Sequence, residues 1–90
     1  MIVRFLPLAL LAGCAAATPI AGRGVCRAEK AQSLVERSAD EALFARALRL
    51  SGARSLRRIA PGDAVTMDFR TDRLNVVYDA RRVVTRITCG

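Results

Sequence analysis

The chain has 90 residues, of which 52% are hydrophobic and 26% charged, and its formal net charge is +7. That length allows one small domain, whose core is marginal without a covalent cross-link. The chain contains no histidine, which argues against a Ser-His-Asp relay and the common zinc sites, so we expect no enzyme, no metal ion and no cofactor. Three phenylalanines and one tyrosine offer little stacking surface for bases, and we expect no nucleic-acid binding.

The first thirteen residues resemble a lipoprotein-type signal peptide. Arg4 gives a short positive start, and the apolar run over residues 5–12 is too short to span a bilayer as a helix. Residues 11–14, Leu-Ala-Gly-Cys, are similar to a lipobox, in which Cys14 becomes the lipidated first residue of the mature protein. The alternative is ordinary cleavage after Ala17, which would discard Cys14 and leave a soluble periplasmic protein.

We expect residues 14–25 to form the lipidated cysteine and a flexible tether, because this stretch is rich in small residues and contains proline and glycine. Ala15, rather than an aspartate, follows the cysteine, which by analogy with bacterial lipoproteins favours sorting to the outer membrane. The predicted location is the cell envelope, at the periplasmic face of the outer membrane.

The folded domain is predicted over residues 26–90. If Cys14 carries lipid, the two remaining cysteines are Cys26 and Cys89, near the two ends of that domain, in an oxidising compartment where disulfides persist. We expect them to be joined, which would close a loop of about sixty residues and restrict the unfolded chain by roughly 4 kcal/mol. The alternative is two buried free thiols.

One amphipathic helix is predicted in the first half of this domain. Residues 38–41, Ser-Ala-Asp-Glu, form a capping box in which Ser38 would accept a hydrogen bond from the amide of Glu41. Gly52 ends the pattern. The apolar residues between them recur at helical spacing and are Ala39, Leu43, Phe44, Ala47, Leu48 and Leu50.

Three strands are predicted in the second half, over residues 55–60, 72–78 and 83–89, with Pro61-Gly62 and residues 79–82 as turns. Alternation in the middle strand places Leu74, Val76 and Tyr78 on one face. The order of elements predicts an α+β fold, with one helix packed on a small mixed β-sheet.

An exposed extended segment is predicted before the middle strand, over residues 65–74, Val-Thr-Met-Asp-Phe-Arg-Thr-Asp-Arg-Leu. Its one flexible apolar side chain, Met67, lies between a hydroxyl and a carboxylate. An unbranched hydrophobe in the middle of a long connection favours a role in a partner's pocket. The alternatives are that Met67 fills the core and that the nearby charges form an ordinary surface ion network.

Residues 62–79, Gly-Asp-Ala-Val-Thr-Met-Asp-Phe-Arg-Thr-Asp-Arg-Leu-Asn-Val-Val-Tyr-Asp, resemble the reactive-site segment of the potato inhibitor I family of serine protease inhibitors. Residues 26–90, including the terminal Cys-Gly pair, are similar to its bacterial and fungal relative, the elastase-inhibitor-like family, which is the seventy-eighth peptidase-inhibitor family. The resemblance covers about two thirds of the chain. It implies a potato inhibitor I-like fold with an extended exposed reactive-site loop.

The resemblance also implies site residues. Met67 and Asp68 would flank the scissile peptide bond, and Met67 would enter the specificity pocket of the protease. The neighbouring subsites would be contacted by Val65, Thr66, Phe69 and Arg70. Two basic residues support the loop in the potato inhibitor I family, at the positions of Arg73 and Asn75, and the second is replaced here by a shorter amide. A Cys26–Cys89 bridge is usual in the closer relatives.

The predicted function is inhibition of chymotrypsin-, elastase- or subtilisin-like serine proteases, whose pockets are apolar, by substrate-like binding of the Met67-Asp68 segment. We expect a monomer that is attached to the membrane through lipid. The alternative is a non-inhibitory envelope lipoprotein that uses the same scaffold to bind a cell-surface partner or an anionic surface.

Overall fold

The computed structural model describes residues 24–90. The predicted signal peptide and Cys14 lie outside the described residues, as does most of the predicted tether. Within residues 24–90, no helix has the length and apolar character needed to cross a membrane.

The described chain begins with a short 3-10 helix, Ala28–Leu34, that the sequence did not predict. Side chains three residues apart eclipse one another in a 3-10 helix. Ala31 and Leu34 have that spacing and are both buried, so the 3-10 helix presents a narrow apolar edge to the core. The side-chain amide of Gln32 donates a hydrogen bond (3.0 Å) from its Nε2 to the carbonyl of Ile87 in the last strand.

The predicted helix is present as α1, Glu41–Ser51, but the predicted capping box is wrong. Asp40 is the N-cap residue, and its carboxylate accepts a hydrogen bond (2.8 Å) from the amide of Leu43. Ser38 instead makes an isolated β-bridge with Val83, which keeps it extended and outside the helix. Gly52 ends α1 as predicted, with a φ of 75° that favours glycine.

The three predicted strands are confirmed as β1, Ser55–Ile59, β2, Arg73–Tyr78, and β3, Val84–Cys89. The sheet has the order β1-β2-β3. β1 pairs with β2 in parallel and β2 with β3 antiparallel, so the sheet is mixed as predicted. Parallel neighbours need a long crossover connection. Here that connection is residues 60–72, which we call the β1–β2 loop.

The core lies between the two helices and one face of the sheet. On β2, Leu74 and Val76 are completely buried, and Tyr78 is half-buried with its ring centroid 6.1 Å from that of Phe44. The opposite face of β2 carries Asn75, which is only 7% exposed because Arg57 and Gly90 lie against it. The buried apolar side chains are Ala31, Leu34, Ala39, Leu43, Phe44, Ala47, Ala53, Leu74, Val76, Val84 and Ile87.

The predicted disulfide between Cys26 and Cys89 is confirmed, with a Cα–Cα distance of 5.9 Å and a sequence separation of 63 residues. It joins the segment before the 3-10 helix to the end of β3. The bond therefore encloses every helix and strand of the described chain.

We expect the double substitution Cys26→Ser, Cys89→Ser to lower the free energy of unfolding by about 4 kcal/mol, because the unfolded chain loses a long covalent loop. Urea denaturation followed by circular dichroism measures this difference. Wild-type protein in the presence of a thiol reductant is the matched control and should unfold like the double variant. A loss below about 1 kcal/mol would show that native packing, rather than the cross-link, limits stability.

Candidate functional site

The β1–β2 loop begins with a tight turn that sets its direction. The amide of Asp63 donates to the carbonyl of Ala60 (3.1 Å), and the Asp63 carboxylate accepts from the Ala60 amide (2.8 Å). Pro61 and Gly62 are the central residues, and Gly62 has a φ of 82°. Proline followed by a glycine of positive φ is typical of a type II turn. The predicted turn is thereby confirmed.

Beyond this turn the loop is extended, and its side chains alternate in direction. Met67 is 96% exposed, and Val65 and Phe69 are 41% and 70% exposed. Thr66 and Asp68, between them, are bonded to side chains of the sheet. Extended backbone turns successive side chains to opposite sides. The loop therefore presents a row of three apolar groups to solvent with Met67 at its centre, and Met67 does not fill the core.

Arg73, the first residue of β2, joins the loop to the end of the chain. Its Nε donates to the carbonyl oxygen of Gly90 (2.8 Å), and its Nη2 donates to the carbonyl oxygen of Asp68 (2.9 Å). Its Nη1 lies 3.4 Å from the Asp68 carboxylate, and its side chain is only 11% exposed. A planar guanidinium with several fixed donors can make all of these contacts together. Arg73 thus lies where the sequence placed a loop-supporting residue.

A second guanidinium, which the sequence did not assign, contacts the other side of the loop. Arg57 on β1 is the direct cross-strand partner of Asn75 on β2. Its Nε donates to the amide oxygen of Asn75 (2.9 Å), and its Nη1 donates to the hydroxyl of Thr66 (3.0 Å). Asn75 therefore does not reach the loop itself but orients Arg57, which does.

The Arg57 contact could not be found from period-two alternation alone. The sequence predicts a strand over residues 55–60, but the pairing of that strand with β2 and its register are set by the crossover. With Ser55 opposite Arg73, Arg57 falls opposite Asn75. The available signal was Arg57 in the predicted first strand, together with the replacement of a basic loop support by Asn75 in the middle strand.

The two guanidinium groups are linked through the loop's own polar side chains. Arg57 donates to Thr66, the Thr66 hydroxyl donates to the Asp68 carboxylate, and Arg73 forms an ion pair with that carboxylate. The bond from the Thr66 hydroxyl, together with the nearby Arg73 charge, lowers the pKa of Asp68 below its ordinary value of 3.8. Asp68 is accordingly ionised near neutral pH.

We expect the loop to stay rigid from neutral pH down to about pH 4 and to loosen only in stronger acid. Because the Asp68 pKa is lower in the folded chain than in the unfolded chain, its contribution is complete above the unfolded value and is lost as pH falls through the folded value. Carboxyl NMR titration and amide relaxation of residues 65–70 measure both effects. Asp68→Asn is the control and should show loop mobility that does not change over this range. Loosening between about pH 6 and pH 5 would contradict the assignment.

The end of the loop nearest β2 is held by backbone groups. The amide of Arg70 donates to the Gly90 carbonyl (3.2 Å), and the amide of Cys26 donates to the Thr71 carbonyl (2.9 Å). A Cβ atom on Gly90 would lie 3.1 Å from the Phe69 ring, and the φ of Gly90 is 137°. Glycine is therefore favoured at this position, where φ is positive and the ring lies close to the backbone. The Arg70 side chain is paired with Asp72 at 3.2 Å.

The site as a whole is a protruding extended peptide that is fixed at both ends and on its inner side. The residues predicted to flank the scissile bond, Met67 and Asp68, lie at its centre, and the predicted support Arg73 lies beneath it. Within residues 24–90, no group of three or more histidine, cysteine or acidic residues is placed to hold a metal ion. An exposed loop that is already held by hydrogen bonds is suited to being bound by another protein.

An exposed loop braced by two arginines on a small disulfide-linked α+β domain is typical of small protein inhibitors of proteases. The model of the Peptidase inhibitor I78 family matches residues 26–90, and the chain belongs to that family. No curated protein has a sequence that matches this chain significantly.

Two solved structures are similar to the chain. The elastase inhibitor AFUEI is 27% identical with a TM-score of 0.55, over 66% of this chain and 81% of that protein. The bitter gourd trypsin inhibitor is 29% identical with a TM-score of 0.54, over 77% of this chain and 97% of that protein. Both are protease inhibitors by name, and the small mixed-sheet fold predicted from the sequence agrees with them.

Proposed function

We propose that this protein inhibits serine endopeptidases with an apolar specificity pocket, by substrate-like binding of the β1–β2 loop. Met67 would fill the pocket and the Met67–Asp68 peptide would occupy the position of the bond that is cleaved. The observation that supports this proposal is a Met67 side chain 96% exposed on a loop whose adjacent side chains are bonded to Arg57 and Arg73.

The hydrogen bonds that Arg57 and Arg73 make to the loop support inhibition rather than ordinary cleavage. Ordering a flexible backbone costs roughly 1–2 kcal/mol per residue, and a loop that is already extended avoids most of that cost on binding. After cleavage, the same bonds would keep the new amine of Asp68 beside the new carboxylate of Met67, because Arg73 holds the Asp68 side chain and carbonyl. Hydrolysis would then be slow and readily reversed.

The chemistry of Met67 supports an apolar pocket. Trypsin-like proteases bind a cation through a buried carboxylate, whereas chymotrypsin- and elastase-like proteases offer a hydrophobic slot. An uncharged thioether on an unbranched chain fits the second kind and adapts to its shape. We therefore assign chymotrypsin-, elastase- and subtilisin-like enzymes as the target class. Val65 and Thr66 would contact the subsites on one side, and Phe69 and Arg70 those on the other.

We also propose that the inhibitor is exported and held in the cell envelope through lipid on Cys14. Support comes from the apolar run that ends in Leu-Ala-Gly-Cys and from the Cys26–Cys89 disulfide, which is stable in an oxidising compartment. Metabolic labelling with a radioactive fatty acid tests this proposal, with Cys14→Ser as the control. Absence of label on the wild-type protein in the membrane fraction of the expressing cells would refute it.

Titration of the purified protein against chymotrypsin, elastase, subtilisin and trypsin tests the inhibitory function. We expect one-to-one, tight inhibition of the first three enzymes and weak inhibition of trypsin. Intact-mass analysis of each mixture should show a slow gain of one water at the Met67–Asp68 bond. Rapid degradation of the protein without a stable complex, or cleavage at another bond, would overturn the proposal.

A further inference from the structure

An open cleft lies beside the C-terminal half of the β1–β2 loop, on the side that follows Met67 along the chain. It is lined by Gly24, Arg54, Phe69, Arg70, Thr71 and Asp72. Because a bound protease contacts residues on both sides of the scissile bond, this cleft is continuous with the surface that the proposed function assigns to the enzyme.

The cleft carries net positive charge. It has two guanidinium groups, from Arg54 and Arg70, and one carboxylate, from Asp72, which is paired with Arg70 at 3.2 Å. Among the described residues, 24–90, Arg54 takes part in no ion pair, and it is exposed. The Phe69 ring, 70% exposed, forms an apolar wall beside these charges.

A backbone hydrogen bond and a side-chain contact place Arg54 beside the loop. Its amide donates a hydrogen bond (2.8 Å) to the carbonyl of Asp72, at the end of the β1–β2 loop. Its side chain lies against the backbone of Gly24, where a Cβ atom would come within 3.0 Å of the Arg54 Nε. Among residues 24–90, a guanidinium without an ion-pair partner thus lies beside the loop.

We infer that Arg54, with Phe69 and Arg70, forms a secondary recognition surface that selects proteases with carboxylates on the rim beyond the cleaved bond. The inference rests on the proposed function and deepens it, since Met67 would choose the type of pocket and this surface would choose among enzymes that share that pocket. Charges on the rim of an interface act mainly on association rate and on its salt dependence. Arg54 is therefore a specificity-determining residue rather than a source of general affinity.

The test compares Arg54→Glu with Arg81→Glu in the purified protein. Arg81 is exposed in the β2–β3 turn, at the opposite end of β2 from the loop, so both variants change the net charge equally. Association rates are measured by stopped flow at about 0.1 M and about 1 M salt, where the screening length falls from about 10 Å to about 3 Å. Two chymotrypsin-like proteases are used, one whose structure shows carboxylates beside the subsites beyond the scissile bond and one that is neutral there.

We expect Arg54→Glu to slow association with the acidic-rimmed protease by about tenfold at low salt and by less than about twofold at high salt. Arg81→Glu should change little with either enzyme. Equal effects of the two variants, or an Arg54→Glu effect that is independent of enzyme and salt, would overturn the inference while leaving inhibition intact. If the wild-type protein inhibits neither enzyme, the proposed function itself fails and the inference falls with it.

Discussion

Replacing Met67 by arginine should exchange the classes of protease that the protein inhibits. Inhibition of chymotrypsin, elastase and subtilisin should weaken by at least about a hundredfold. Burial of a methionine side chain contributes about 1.5–3 kcal/mol, and a charge buried in an apolar pocket without a partner adds a further penalty. Inhibition of trypsin should strengthen by a similar factor, because its pocket offers a carboxylate to the new guanidinium. Inhibition constants for all four enzymes measure the exchange.

Met67→Leu is the matched control for that exchange. It keeps an apolar side chain of nearly the same volume, so inhibition of the first three enzymes should change by less than about tenfold. Because Met67 is 96% exposed in the free protein, neither substitution should alter the free energy of unfolding. Unchanged selectivity in Met67→Arg would show that another residue enters the pocket.

Replacing Arg73 by alanine should convert the inhibitor towards a substrate. The substitution removes the hydrogen bonds that the guanidinium donates to the carbonyls of Gly90 and Asp68, as well as its ion pair with Asp68. Hydrogen bonds from a charged donor contribute about 1.5–3 kcal/mol each. If the contacts that hold the loop in its bound shape lose about 3 kcal/mol of stabilising free energy, net hydrolysis of the Met67–Asp68 bond should be roughly a hundredfold faster. Intact-mass time courses with subtilisin measure that rate.

Two variants make the Arg73 experiment specific. Arg73→Lys keeps the charge but cannot bond Gly90 and Asp68 together, so its hydrolysis rate should lie between those of wild type and Arg73→Ala. Arg57→Ala removes the hydrogen bond to Thr66 and the one to Asn75 that orients Arg57. This single substitution should also accelerate hydrolysis of the Met67–Asp68 bond. If Arg73→Ala remains uncleaved while its free energy of unfolding is lowered, Arg73 stabilises the domain and does not brace the loop.

The sequence predicted those elements whose formation depends on local pattern. Period-two alternation located β2, and Gly52, which the structure places in the left-handed region, located the end of α1. The exposure of Met67 followed from an apolar residue surrounded by polar ones in a long connection between strands. These features depend on residues that are close together in the sequence, where spacing alone is informative.

The features that the sequence missed depend on contacts between distant segments. The role of Arg57 requires the parallel register of β1 and β2, which is fixed only when the crossover closes. Ser38 could have capped the helix, but its bridge to Val83, far along the chain, left Asp40 as the cap. The 3-10 helix has only two buried side chains, too few to show a period. At Ser38 tertiary pairing overrode the local preference.

The cross-link between Cys26 and Cys89 spans the Met67–Asp68 bond. Hydrolysis there would leave two peptides that still form one molecule, joined covalently through sulfur and aligned by the pairing of β1 with β2. Such a nicked species would run as a single band on an electrophoresis gel until a reductant separates its halves. The same cross-link would keep the new amine from diffusing away, so under the proposed function the cleaved form would keep the geometry needed to reseal.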